Sequence, residues 1–214
     1  MNFLIDSILI LAILLSVFAL GASRLGNTIR IFAIQSFLIA FLPWFLHGGT
    51  PGFHQLLLLV GTIVIKAFVI PRFLFSAIRD VSMRRDMAPL IGFGTSLFVG
   101  SLLVALAFIL SAGLPLPTGI GSSLLLPASL STLLLGLLLI ISRTKAVTQV
   151  VGYLIVENGI FLFGVSLVLE MPLLVEMGIL LDIFVGVFVM GIVIFRINRE
   201  FEHMDTNNLT VLRD

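Results

Sequence analysis

The chain of 214 residues contains no cysteine. This absence excludes disulfide bonds, thiolate-held zinc or iron–sulfur sites and cysteine nucleophiles. Histidine is also scarce, with three residues that are too few and too scattered to build a haem or metal cluster without help from another chain. If the protein works within a redox system, its redox centre is therefore expected on a different chain.

Charged residues are rare as well, at 11% of the chain against about 25% in ordinary globular domains. Hydrophobic residues make up 59%, and the mean hydropathy is +1.25. The 12 Lys and Arg against 11 Asp and Glu leave a net charge of +1, without the strongly basic footprint of a nucleic-acid-binding protein. So few polar groups cannot cover the surface of a chain of this size, so lipid is expected to be its main solvent.

Long apolar runs predict membrane-spanning helices, because a helix needs about 20 apolar residues to cross a hydrocarbon core of ~30 Å. Strands of membrane barrels alternate in polarity and last only ~10 residues, so unbroken runs exclude a barrel. The predicted fold class is all-α, a polytopic membrane protein with about seven transmembrane helices. The predicted spans are Phe3–Ala22, Ile29–Leu46, His54–Ile78, Pro89–Ala112, Ser123–Ile141, Val147–Leu169 and Leu173–Phe195.

Basic residues alternate between the loops and predict the orientation of the bundle. Lys and Arg flank or occupy the first, third and fifth loops and the C-terminal tail, whereas the second, fourth and sixth loops contain none. By the positive-inside rule the N-terminus faces outward and the C-terminus is cytoplasmic. The first stretch carries Asp6 and lacks the positive n-region of a signal peptide, so it is predicted to be a retained helix.

Three charged residues lie deep inside the predicted spans, far from either end, namely Lys66, Glu157 and Asp182. At a helical rise of ~1.5 Å per residue they lie ~18, ~15 and ~20 Å from helix ends, in one band near the bilayer centre. A charge at that depth costs ~2.5–3.5 kcal/mol on insertion scales, so three at a common depth favour a functional role.

Two interpretations of these charges stay open. Lys66 and one carboxylate can form a static ion pair that fixes helix packing, which leaves the other carboxylate protonated and without a counter-ion. Alternatively, the three residues form part of a proton relay, which requires a carboxyl poised between its neutral and ionised forms. The second interpretation is favoured because the first accounts for only two of the three residues.

The neighbours of the two carboxylates supply further candidates for the path or its support. Gly178, Asp182 and Gly186 lie four residues apart on one face of the seventh predicted helix, so that face is expected to pack against protein. Glu176 lies about one and a half turns further out and is a candidate to extend the path outward, or an ordinary interfacial acid. The seventh helix is thus predicted to present Asp182 to a neighbouring helix.

The sixth and third predicted helices carry similar local signals. Tyr153 lies one turn before Glu157, and Asn158 follows that carboxylate directly, so both are candidate supporting residues. Pro71, five residues after Lys66, removes a backbone donor and is predicted to kink the third helix. A kink there would widen a cavity for water beside Lys66.

Three segments of the chain carry a family likeness: Gly152–Gly159 with its Tyr-Leu-Ile-Val-Glu-Asn core, Val175–Asp182, and the ending Asp205–Thr210. Together with Lys66 followed by Pro71, they resemble hydrogenase-4 component E, and the likeness covers essentially the whole chain. The last part of that family is similar to the K subunit of respiratory complex I, which uses two intramembrane glutamates on consecutive helices in proton translocation.

The resemblance assigns roles by position. It matches Glu157 to the first glutamate and Asp182, one methylene shorter, to the second; Lys66 has no counterpart in the K-like part. The implied division is an N-terminal transmembrane bundle at 1–146, a K-like helix pair at 147–197 and a cytoplasmic tail at 198–214. The path formed by these three residues would carry protons or sodium ions.

The resemblance implies a non-catalytic membrane subunit of a complex-I-like, energy-converting hydrogenase or formate hydrogenlyase complex in the prokaryotic cytoplasmic (inner) membrane. Its partners would be antiporter-like and anchor membrane subunits and a peripheral redox arm that holds the nickel–iron and Fe–S centres, with no cofactor on this chain and no nucleic acid. Two alternatives stay open. One is a stand-alone secondary transporter, against which the lack of a convincing internal repeat counts. The other is a purely structural assembly subunit.

Overall fold

A computed structural model describes residues 2–47, 53–79, 91–114 and 122–167 of the chain. Within these residues it contains six helical spans that are long and apolar enough to cross a membrane. The all-α prediction and the first six predicted spans are confirmed for this part of the chain, whereas the seventh span and the tail lie outside it. The helices are α1 (Asn2–Gly21), α2 (Leu25–Ala40), α3 (Leu42–His47), α4 (Phe53–Thr62), α5 (Ile70–Arg79), α6 (Phe93–Ala112), α7 (Leu125–Ser142) and α8 (Ala146–Leu167), with a π-helical segment at Ile63–Val69 between α4 and α5.

The second predicted span is broken near its end. The sequence predicts one helix over Ile29–Leu46, but α2 ends at Ala40 and the short α3 begins at Leu42. Pro43 has no amide hydrogen to donate to the preceding turn, so a regular helix cannot continue through it. The last turn of α2 instead ends with a hydrogen bond from the amide nitrogen of Phe41 to the carbonyl oxygen of Leu38, at 3.3 Å. The two pieces still form one membrane-length span.

The third span changes its winding at its middle. Its residues from Ile63 to Val69 form a π-helix, which we call the π segment, with Lys66 at its centre. At the end of this segment, the amide of Ile70 donates a hydrogen bond to the carbonyl oxygen of Ile65, five residues earlier. Pro71 follows directly and cannot donate a backbone hydrogen bond. The pattern of backbone hydrogen bonds must therefore change in the residues before Pro71. The sequence predicts this irregularity through Pro71, but as a kink and not as a π-helix.

Helices α7 and α8 pack backbone against backbone through glycines. A Cβ atom added to Gly136 would lie 2.7 Å from the amide nitrogen of Val156, and one added to Gly152 would lie 3.0 Å from the amide nitrogen of Ile140. At Gly159 it would lie 2.6 Å from the amide nitrogen of Leu133. Only glycine permits helix axes this close, so these positions fix the distance between α7 and α8.

Two hydrophobic clusters form the core of the described bundle, and polar residues separate them. On α1, Ser16 lies between Ala12 of one cluster and Ala19 of the other. The same order, one cluster, polar residues, then the other cluster, recurs along α2, α7 and α8. We call these buried polar residues, together with the buried lysine of the π segment, the polar layer. The polar layer comprises Ser16, Gln35, Ser36, Lys66, Ser131, Thr132, Glu157 and Asn158.

Candidate functional site

The polar layer contains an ion pair between the π segment and α8. Nζ of Lys66 lies 2.9 Å from Oε1 of Glu157, and only 6% and 3% of the two side chains is exposed. Both residues carry charge deep within apolar stretches of the sequence, and the structure brings them into contact. Asp182, the third charge of the predicted site, lies outside the described residues, as does Glu176.

Because both charges are buried, the free-energy cost of removing them from water offsets much of what this ion pair contributes to helix packing. Taking two charges out of water has an effective penalty of several kcal/mol per ion, and their attraction often does no more than offset it. Apolar residues of similar volume are usually as stabilising as a buried pair. Lys66 and Glu157 are therefore poorly explained by packing stability alone, and a pair of titratable groups at one place can do proton chemistry.

Next to the ion pair, amide and hydroxyl groups join three helices. Gln35 on α2 donates from Nε2 to the carbonyl oxygen of Ala12 at 3.0 Å and to Oγ of Ser16 at 2.7 Å, both on α1. Asn158 on α8 donates from Nδ2 to Oε1 of Gln35 at 3.3 Å and to Oγ of Ser36 at 3.0 Å. The residue adjacent to Glu157 is thus tied to α2, and through α2 to α1.

Two hydroxyl groups of α7 also belong to the polar layer. Ser131 and Thr132 are fully buried, and their side-chain oxygens have no hydrogen-bond partner within the described ranges. Most buried hydroxyls in proteins are hydrogen-bonded, often to ordered water. These two hydroxyls make α7 a further helix that contributes side chains to the polar layer.

Two further polar contacts lie outside the layer. The guanidinium of Arg143, just beyond α7, donates to the carbonyl of Leu20 near the end of α1 and stacks over the ring of Phe93 at 4.6 Å. Burial lowers the pKa of Arg143. Near the start of α1, the hydroxyl of Ser122 donates to the carboxylate of Asp6. These contacts join loop ends to α1 and do not reach the ion pair.

The supporting residues predicted from the sequence have different surroundings. Asn158 is buried and hydrogen-bonded within the polar layer. Tyr153 is 40% exposed on the surface of the described bundle, so its role as a support stays a prediction. Sequence reasoning missed Gln35, Ser36 and Ser16. The signal that could have found Gln35 is a long amide side chain in the middle of an apolar span, ten residues after the start of α2 at Leu25.

The described residues offer no group of three or more His, Asp or Glu that could hold a metal ion. Their ionisable pair in the polar layer consists of one ammonium and one carboxylate, which lacks the several carboxylate or imidazole ligands that a metal site requires.

Comparison with known proteins identifies relatives of the chain. It is 30% identical over 206 residues to "Uncharacterized protein Rv0085" of Mycobacterium tuberculosis, across 94% of this chain and 92% of that protein. It is 31% identical over 150 residues to hydrogenase-4 component E of Escherichia coli K12, and equally to that of Shigella flexneri, across 70% of this chain and 69% of those proteins. No family model and no solved structure matches it. The chain is thus a multi-pass membrane protein that belongs to the hydrogenase-4 component E family.

Proposed function

We propose that this protein is an integral membrane subunit of a complex-I-like, energy-converting hydrogenase-type complex, in which Lys66, Glu157 and Asp182 contribute to a proton or sodium path. The relatives named as components of hydrogenase-4 support membership of such a complex. Redox chemistry belongs to other subunits, because a chain without cysteine has no thiolate to hold an Fe–S cluster or a nickel–iron centre. The site of action is the prokaryotic cytoplasmic membrane.

The observation that carries the proposal is the buried contact of Lys66 with Glu157 at 2.9 Å inside a membrane-length bundle. In the proposed path, breaking the contact with Lys66 lets Glu157 take up a proton, and re-forming the contact releases that proton. The pair therefore couples proton binding at Glu157 to the position of Lys66. A conformational change driven by redox chemistry on another subunit needs only to alter this contact to move a proton.

The winding of the third span supplies an element that can make such an alteration. Lys66 lies at the centre of the π segment, and π-helical turns inside α-helices occur frequently at functional sites. Shifting the segment by one residue of α-helical register would rotate Lys66 about the helix axis by about 100°, the rotation per residue of an α-helix. A rotation of that size removes an ammonium from a carboxylate that it touches. The π segment is thus a candidate for the moving part of the path.

Two other functions use the same residues differently. A stand-alone secondary transporter would place an ionisable substrate site at the ion pair, and a structural subunit would use the pair only to hold α8 against the third span. Isolation of the tagged protein from its native membrane distinguishes the transporter. A complex subunit is recovered together with other membrane subunits and a peripheral arm that contains nickel and iron, whereas a transporter is recovered alone and is active by itself.

Neutralising both carboxylates, Glu157→Gln with Asp182→Asn, separates the path from the structural role. The assembled complex is placed in vesicles and supplied with its electron donor, and proton movement is measured alongside electron transfer. We expect electron transfer to continue while proton movement falls strongly. Full proton movement by an assembled double variant would assign the chain a structural role only.

A further inference from the structure

Gln35 belongs to the polar layer and is completely buried. On one side its Nε2 donates to Ala12 and Ser16 of α1, and on the other its Oε1 accepts from Asn158 of α8. Both ends of the amide are therefore engaged, each by a different helix. A buried amide with all of its partners present ties its neighbours in one arrangement, because any other leaves unpaired polar groups in an apolar interior.

The direction of this chain of hydrogen bonds follows from one atom, the carbonyl oxygen of Ala12. A backbone carbonyl only accepts, so the NH₂ group of Gln35 must face α1 and its oxygen must face α8. Asn158 must then turn its own NH₂ group toward Gln35, where the same group also reaches Ser36. The orientation of the Asn158 amide is thus set by α1 through Gln35.

The orientation of Asn158 determines where its neighbour Glu157 points. Successive residues of an α-helix are about 100° apart, so holding Asn158 against α2 fixes the rotation of α8 and turns Glu157 toward the π segment. Gly152 and Gly159 hold another face of α8 tightly against α7. With α8 fixed from both of these sides, Glu157 is carried to within 2.9 Å of Lys66.

We propose that Gln35 is a positioning residue, which acts through Asn158 to hold Glu157 on Lys66. Gln35 is not itself on the path of the proton, because a side-chain amide does not ionise in the range where carboxyls do. The functional importance of this positioning rests on the proposed function. The positioning of Glu157 by Gln35 can nevertheless be measured without measuring proton movement.

The test is the rate at which dicyclohexylcarbodiimide modifies Glu157 in the purified complex, followed by mass spectrometry of the peptide that contains it. The reagent attacks protonated carboxyls in apolar surroundings, so a carboxyl in contact with the Lys66 ammonium is expected to react more slowly than one released from it. We expect Gln35→Leu to speed the modification roughly three- to tenfold, the factor that corresponds to the net worth of about one hydrogen bond. A rate unchanged from wild type would overturn the positioning role.

Two variants keep the test specific. Gln149→Leu makes the same substitution on α8, where the side chain donates to the carbonyl of Arg143 and does not contact the polar layer, and it is expected to leave the rate at Glu157 unchanged. Gln35→Glu keeps the acceptor for Asn158 and, when protonated, a donor for Ala12. At matched acidic pH, Gln35→Glu is expected to restore a modification rate close to that of the wild type. If Gln35→Glu does not restore the rate and Gln149→Leu also speeds the reaction, the substitutions act by loosening the whole bundle, and the inference is overturned.

Should Gln35→Leu fail to assemble, Ser36→Ala removes only the second acceptor of Asn158 and is expected to speed the modification in the same direction by a smaller factor. An unchanged rate in assembled Ser36→Ala would count against the inference. Proton movement is read separately. Faster modification in Gln35→Leu together with full pumping by Glu157→Gln would leave the positioning role standing and remove the proposed function.

Discussion

The ammonium of Lys66 and the carboxylate of Glu157 meet at 2.9 Å across the interface between the π segment and α8, with both side chains buried. The two residues are far apart in the chain, and the distance of each from the ends of its helix predicts a position near the bilayer centre. The contact gives each buried charge an opposite charge as its neighbour, so replacing one side chain takes that neighbour away from the other.

The stability of the bundle should depend on whether this unit is left half-complete. Lys66→Met leaves the carboxylate of Glu157 buried without its ammonium, and we expect it to destabilise the protein by about 3–5 kcal/mol. Adding Glu157→Gln removes the stranded charge and should recover most of that loss. Unfolding by sodium dodecyl sulfate in mixed micelles measures both variants. Equal stability of the single and double variants would show that Glu157 is not left as a costly buried charge when Lys66 is absent.

The close packing of α7 on α8 should be intolerant of a single methyl group at its glycines. A Cβ at Gly159 would lie 2.6 Å from a backbone nitrogen and 2.8 Å from the Cα atom of Leu133, neither of which can move alone. We expect Gly159→Ala to destabilise the protein by about 1–3 kcal/mol through overpacking. The same unfolding assay measures it.

Gly61→Ala is the matched control for that substitution, because a Cβ at Gly61 would meet nothing within 4 Å. Alanine is also the better helix former, so this variant should be neutral or slightly stabilising. Similar losses for both glycine variants would mean that helix separation between α7 and α8 is not what Gly159 determines.

Arg143 should not be replaceable by lysine even though the charge is kept. Its planar guanidinium donates to the Leu20 carbonyl and stacks over Phe93 at the same time, which a compact ammonium on a flexible stem cannot do. We expect Arg143→Lys to destabilise the protein by about 1.5–3 kcal/mol, the worth of a hydrogen bond from a charged group. Arg24→Lys, at an exposed position before α2, is the control and should change little.

Much of the fold and part of the site followed from the sequence because the bilayer imposes simple constraints. Span lengths and the cost of burying charge located the first six helices and drew attention to Lys66 and Glu157. The break before Pro43 and the π segment were less accessible, since they depend on how a helix redistributes its hydrogen bonds around a proline. The sequence predicted a disturbance at Pro71 but not its form.

The contacts of Gln35 could not be predicted from the sequence, because they depend on which faces of α1, α2 and α8 meet. Neutral polar residues are tolerated in membrane helices for several reasons, and serine often bonds only to its own preceding turn, as Ser129 does to Leu126. Nothing in the local sequence distinguishes such a serine from Ser16 or Ser36, whose hydroxyl oxygens accept hydrogen bonds from another helix. Only the packing of the helices makes that distinction.

The central claim, that the ion pair is part of a proton path, is tested most directly by the number of protons moved per electron in vesicles that contain the assembled complex. Glu157→Gln is compared with Asp6→Asn, whose carboxylate accepts a hydrogen bond from Ser122 outside the polar layer. The double variant Lys66→Met with Glu157→Gln is included so that a buried unpaired ammonium cannot account for the result. We predict that Asp6→Asn keeps the wild-type ratio while both Glu157→Gln complexes transfer electrons with little or no proton movement; a wild-type ratio in an assembled Glu157→Gln complex would contradict the account.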